Sequence, residues 1–89
     1  MRKENKKYVG LWYVYIAECR DKTFYVGIAR DPDKRIAEHN KTKRCRYTRY
    51  RKPIVLKYKE ICDNYGAARK RETEIKKFSR KKKGEIISR

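Results

Sequence analysis

Two short apolar runs constrain this chain more than anything else in it. Residues 11–18, Leu-Trp-Tyr-Val-Tyr-Ile-Ala-Glu, and 24–29, Phe-Tyr-Val-Gly-Ile-Ala, are separated only by Cys19-Arg20-Asp21-Lys22-Thr23. Both runs are rich in β-branched and aromatic residues, and the stretch between them is polar, so the pair predicts an antiparallel hairpin. Gly27 inside the second run marks a bulge or a place where another backbone or a ligand comes close. Whatever follows has to cover this hairpin.

Asp31-Pro32-Asp33 supplies a helix start. Asp31 can cap, Pro32 can occupy the first helical position, and Asp33 sits in the favourable first turn. The helix is expected to reach about His39 or Asn40. Residues 41–52 then hold seven basic side chains and no acid, with Tyr47 and Tyr50 interleaved, and read as a loop that Pro53 ends. From Leu56 the segment 54–60 alternates like a half-buried strand. Asp63 or Asn64 can cap a second helix over roughly 65–78, and a shorter one is expected after Ser79, weakened by Gly84. The order ββαβαα describes an α+β domain: a small three-stranded antiparallel sheet flanked by helices. It spans 11–89 behind a basic extension at 1–10. A chain of only 89 residues buries about 60–65% of its unfolded surface, so several of the eight tyrosines must be structural.

Charge narrows the partners. Lys and Arg number 28 against 11 Asp and Glu, a formal net charge of +17. Such a field attracts polyanions by counterion release, with nucleic acid the first partner to consider and an anionic membrane surface the second. The membrane is disfavoured, because neither longer predicted helix carries a bulky apolar face opposite its lysines. No apolar run approaches the ~20 residues of a membrane span, and no secretory signal follows Met1–Tyr8. Three widely separated cysteines, Cys19, Cys45 and Cys62, argue for a reducing compartment and a cytoplasmic protein rather than a disulfide framework. With His39 the sole histidine and no paired-cysteine spacing, a zinc site is not expected.

Two constellations could carry chemistry. Ala68, Glu72, Ile75 and Phe78 fall on one helical stripe, placing a carboxylate on the face turned toward the core. An unpaired buried charge is expensive, so Glu72 is either salt-bridged to a basic neighbour or a ligand for a hard cation. Arg35 and His39 are i, i+4 neighbours. The histidine reads either as a structural group near a helix end or as a proton relay, beside an arginine suited to clamping a phosphate. By strand alternation, Tyr13, Tyr15 and Tyr25 could equally be ordinary core aromatics.

Taken together and in order, these residues resemble the GIY-YIG nuclease domain, in particular its short stand-alone YhbQ/YazA-like bacterial type. Tyr13-Val14-Tyr15 stands where the first motif belongs and Tyr25-Val26-Gly27 where the second does, and Arg35 to His39 resembles the family's Arg-x-x-x-His helix. Arg46-Tyr47-Thr48-Arg49 with Arg51-Lys52-Pro53 is similar to the basic loop of the stand-alone members, and Arg71-Glu72 to the segment bearing their metal-binding glutamate. Two positions depart from the pattern: Tyr13 replaces the first motif's glycine, and Ile28 follows Gly27 where many relatives carry a polar or basic residue.

The resemblance implies a phosphodiesterase site on the sheet surface. Glu72 would bind one Mg²⁺ or Mn²⁺, Arg35 would steady the scissile phosphate, and Tyr15, Tyr25 and His39 would form the group from which a proton acceptor is drawn. Tyr15 is the favoured base or base relay with His39 orienting it, although the roles of the two phenols could be exchanged. Gly27, Asn40, Arg44, Arg46, Tyr47 and Arg49 are the expected substrate contacts. The implied function is a metal-dependent endonuclease acting on DNA, or on RNA, directed by structure rather than sequence, in repair or recombination, with a scaffold or targeting protein as a further partner. The alternative is a non-catalytic DNA- or RNA-binding module of the same fold. In that case 41–52 and 69–83, with seven and nine cations or 16 of the 28, would grip phosphates while Tyr47 and Tyr50 stack on bases.

Overall fold

The computed structural model describes residues 10–42 and 49–89. Its element order is β1 (Trp12–Glu18), β2 (Phe24–Ala29), α1 (Pro32–Lys41), β3 (Val55–Cys62), α2 (Tyr65–Lys76) and α3 (Arg80–Ile87), the expected ββαβαα arrangement. The hairpin closes because Cys19 N–H donates to Thr23 O at 2.8 Å, while Asp21 accepts from the Thr23 hydroxyl at 2.6 Å. Lys22 takes the positive φ of 71° that the turn requires. That Thr23 hydroxyl bond is the main reason the Asp21 carboxyl titrates below its usual range.

All three helices start on the side chains the sequence offers. Asp31 accepts from Lys34 N–H at 3.2 Å, Asn64 from Ala67 N–H at 2.8 Å and Ser79 from Lys82 N–H at 3.1 Å. Each bond satisfies an amide that would otherwise be orphaned in the first turn. Helix α1 ends one to two residues later than the sequence suggests, because Thr42 still donates from its backbone and its hydroxyl to Glu38 O, both at 3.0 Å.

The sheet order is β2-β1-β3, all antiparallel. The register between β1 and β3 shifts between Ile16, opposite Tyr58, and Ala17, opposite Leu56, leaving Lys57 as the extra residue. Because alternate residues of a strand face opposite ways, β1 serves two cores. Tyr15, Ala17 and Cys19 pack with Ala29, Ile36 of α1 and Ile54 on one face. Val14 and Ile16 pack with Val26, Ile75 of α2 and Ile86 of α3 on the other. Helix α1 therefore covers one side of the sheet and α2 with α3 the other. Among the described residues the cysteines form no disulfide, Cys19 being buried and Cys62 half-buried, and no helix is long and apolar enough to cross a membrane.

Candidate active site

The strand positions of Tyr15, Tyr25 and Gly27 place them on the face that α1 covers, since Tyr15 lies opposite Gly27 and Ala17 opposite Tyr25. The ring centroids of Tyr15 and Tyr25 are 6.3 Å apart, and those of Tyr25 and His39 5.4 Å. Three of the groups expected to share chemistry thus form one contact chain. The conformation of Gly27 is ordinary; its lack of a side chain is what counts. A Cβ there would stand 2.7 Å from the Tyr15 hydroxyl oxygen and 2.8 Å from its Cζ. The close approach expected at Gly27 is that of the Tyr15 phenol itself.

His39 is buried on α1. Burial and then the neighbouring Arg35 guanidinium hold its imidazole below its ordinary pKa, with Glu38 opposing them. A neutral ring at pH 7 can accept a proton or orient a phenol. Arg35 lies one turn away on the exposed side of the helix, able to meet a phosphate arriving from solvent. Asn40 has a different employment: its amide donates to Ile54 O at 2.9 Å and accepts from Ile54 N–H at 2.7 Å. This clamp fixes the end of α1 to the entry of β3.

Glu72 is buried at 8% exposure beside Ala68 and Ile75, on the stripe read from the sequence, but its helix lies on the opposite face from the tyrosines. Its rotational setting has a visible cause. Arg71 donates to Glu60 of β3 at 2.9 and 3.3 Å, Glu60 accepts from the Tyr58 hydroxyl at 2.6 Å, and Arg71 pairs with Glu74 at 3.5 Å. Burial alone would raise the Glu60 pKa, yet the Tyr58 and Arg71 hydrogen bonds and the Arg71 charge outweigh it and lower it. Successive helical residues are about 100° apart, so holding Arg71 against β3 fixes the rotational setting of α2 and with it the inward position of Glu72; β2 forms the opposite edge of the sheet.

A cleft of about 250 Å³ opens at that edge, lined by Phe24, Tyr25, Val26, Lys76 and Lys83. Both Tyr25 and Lys76 line it. Lys76 in turn pairs with Glu72 at 3.3 Å, while Arg69 stands 3.7 Å from the carboxylate's other oxygen. The salt-bridged reading of Glu72 is therefore realised in the fold. Nothing in the sequence singles out Lys76 and Lys83, which are two lysines among many; only the packing of α2 and α3 over β2 distinguishes them.

Among the described residues no three His, Cys, Asp or Glu side chains converge to chelate an ion. The donor set here is one carboxylate beside an open cleft. It suits Mg²⁺ or Mn²⁺, which keep several waters and complete their shell with substrate phosphate oxygens, and does not suit zinc.

The basic loop is gathered at its neck, where Lys52 Nζ donates to Thr42 O at 3.2 Å and Arg51 pairs with Asp21 of the hairpin turn at 3.1 Å. Arg49 lies over the ring of Tyr50, 5.8 Å from its centroid, and Tyr50 is 75% exposed. Arg44, Cys45, Arg46 and Tyr47 lie outside the described residues. Tyr13, in place of the motif glycine, is half-buried beneath Lys59. Ile28 packs against the core under α2.

The family model described as the GIY-YIG catalytic domain matches residues 11–85. A UPF0213 protein of Staphylococcus saprophyticus is 47% identical over 76 residues, covering 85% of this chain and 93% of its own length. A UPF0213 protein of Haloquadratum walsbyi is 43% identical, covering 83% of each chain. The solution structure of a UPF0213 protein from Bacillus halodurans superposes with a TM-score of 0.56 at 38% identity, covering 88% of this chain and 83% of that one.

Proposed function

The chain belongs to the GIY-YIG catalytic domain family, and from that premise we propose that it is a metal-dependent endonuclease that hydrolyses phosphodiester bonds in DNA at the β2 edge of its sheet. The observation that carries the reading is the Tyr15–Tyr25–His39 contact chain, with the imidazole kept neutral by burial. A phenol activates water only if the cost of its ionisation falls, and a neutral histidine beside it can take or orient the proton. Tyr15 acts as base or base relay, Tyr25 as the second phenol, and Arg35 steadies the scissile phosphate. Charge developing on that phosphate is met by preorganised cations.

Glu72 would hold the divalent ion, which supplies Lewis-acid stabilisation of the phosphoryl oxygens. Its two ion-pair partners then become available to the substrate. Asn40 contributes by positioning, since both ends of its amide fix α1 to β3. With no helix-turn-helix or zinc finger among the described residues, the substrate is recognised by its structure, such as a nick, flap, branch or single strand. A role in repair or recombination, in the cytoplasm, and with a scaffold protein that directs it to its site, accords with this.

A second reading, a nucleic-acid-binding module without catalysis, is favoured by one observation: Glu72 is already paired to Arg69 and Lys76. One experiment separates them. Labelled duplex, nicked, flapped, branched and single-stranded DNA and RNA are incubated with Mn²⁺ and either the wild type or Glu72→Ala. Cleavage of a structured substrate that Glu72→Ala loses, with affinity changed only a few-fold, is the expected result. Binding with no cleavage of any substrate overturns the nuclease in favour of the module.

A further inference from the structure

We propose that Arg69 and Lys76 close Glu72 against a divalent ion until nucleic acid is bound, so that metal and substrate are taken up together rather than independently. This deepens the nuclease reading and rests on it for Glu72 as the metal ligand.

Each oxygen of the Glu72 carboxylate faces its own cation: Oε1 stands 3.7 Å from the Arg69 guanidinium and Oε2 3.3 Å from the Lys76 ammonium. The carboxylate is fixed and the cations are not. Its side chain is 11% exposed, whereas those of Arg69 and Lys76 are 60% and 57% exposed, and α2 carries all three. The two cations can swing outward by rotamer changes alone, with no movement of the helix. Their pairs are also looser than the 2.9 Å bond between Arg71 and Glu60, which Tyr58 braces. Ion pairs to exposed cations are weak one at a time, so a competing anion can take either of them.

Charge balance makes the exchange conditional. A carboxylate this far inside is costly to leave unpaired, so its cations leave only as another positive charge arrives. A divalent ion could replace them there, but Arg69 and Lys76 would then stand unneutralised beside it, in a chain whose formal net charge is already +17. Repulsion among like charges at such short range opposes that state. Phosphates relieve it by accepting Arg69 and Lys76. Lys76 is placed for this, since it also lines the cleft at the β2 edge, where an entering anion meets it. Coupling of this kind is reciprocal: nucleic acid that strengthens metal binding is itself held more tightly when metal is bound. Without substrate, Glu72 stays closed.

The test reads the position of the ion rather than cleavage. Mn²⁺ is titrated into the protein with and without a short oligothymidylate, and its arrival at Glu72 is followed by paramagnetic broadening of the methyl signals of Ala68 and Ile75, the other buried residues of α2. In the wild type the oligonucleotide should tighten Mn²⁺ binding by about tenfold, within the usual range of coupling between two sites. Arg69→Gln/Lys76→Gln, which keeps much of both aliphatic stems, should bind Mn²⁺ about tenfold more tightly than the wild type in the absence of nucleic acid, and the oligonucleotide should then add less than about twofold. Each single substitution should give part of this effect. Lys70→Gln/Lys77→Gln removes the same charge from exposed lysines that have no ion pair among the described residues, and should keep the wild-type response. Equal effects of the two double variants, or a wild type indifferent to the oligonucleotide, overturn the coupling while leaving Glu72 a metal ligand. Broadening that survives Glu72→Gln, or that is absent from every protein, overturns Glu72 as the ligand and the coupling with it.

Discussion

The Tyr15 phenol rests against the bare Cα of Gly27 on the neighbouring strand, so close that a methyl group on Gly27 would stand 2.7 Å from its hydroxyl oxygen and 2.8 Å from Cζ. Tyr15 is 1% exposed and has no room to retreat. The glycine of one motif is a seat for the tyrosine of the other.

Gly27→Ala is therefore expected to destabilise the fold by about 1–3 kcal/mol, the usual cost of overpacking a filled core, and to displace Tyr15. Urea denaturation measures the first effect. Adding Tyr15→Phe removes the clash with the hydroxyl but not the one with Cζ, so the double variant should keep most of the destabilisation. Full recovery would show that the hydroxyl alone makes the clash.

His39 predicts a pH dependence of stability. Its pKa is lowered by burial first and by Arg35 second, so the unfolded chain binds the proton more readily than the native one. Stability should be complete above the unfolded value of about 6.5 and fall as the pH drops through it toward the lower native pKa. Denaturant midpoints at pH 8 and pH 5.5 check this, and His39→Gln should flatten the difference. Arg35→Ala should raise the His39 pKa in an NMR titration.

The Tyr58–Glu60–Arg71 network predicts a second pH dependence, at lower pH. The Glu60 pKa is lowered by those hydrogen bonds and by the Arg71 charge against the effect of burial; its contribution is present above the unfolded carboxyl value and is lost as the pH falls toward the native one. Because both groups are about 30% exposed, Glu60→Gln should cost only about 1 kcal/mol. Since the network sets the rotation of α2, it should cost activity as well, through Glu72, and raise the Mn²⁺ concentration needed for half-maximal cleavage. An unchanged metal dependence would separate the network from Glu72.

Asn40→Ala removes two hydrogen bonds to Ile54 and leaves a buried backbone pair without partners, at about 1–3 kcal/mol. Amide exchange at Ile54 should rise with it. Asn40→Asp keeps the acceptor but not the donor and should fall between. Loss of nucleic-acid affinity with undiminished stability would instead make Asn40 a direct substrate contact.

Much of this was legible in the sequence because it is local. The Asp31, Asn64 and Ser79 caps, the hairpin and the stripe carrying Glu72 all depend on neighbours within a few residues. What the sequence does not contain is which residues meet across the chain. The Arg71–Glu60 bond needs the register of β3, which a bulge opposite Ile16 and Ala17 resets. Gly27 reads as a place of close approach, but the group that approaches lies twelve residues earlier on a paired strand. Lys76 and Lys83 are indistinguishable from their neighbours until two helices fold over β2. That Glu72 and the tyrosines sit on opposite faces follows from how the helices pack on the two sides of the sheet and from nothing shorter.

The central strand is the first one made, and its two partners are asked for at very different times. β2 follows within a few residues, whereas β3 arrives only after α1 and the basic loop. Since Val14 and Ile16 belong to one core and Tyr15 and Ala17 to the other, neither core can close without fixing the backbone that the other uses. The two halves consequently have no independent existence: the molecule should form in a single cooperative step late in synthesis, and damage to β1 should be felt at the tyrosines and at Glu72 together.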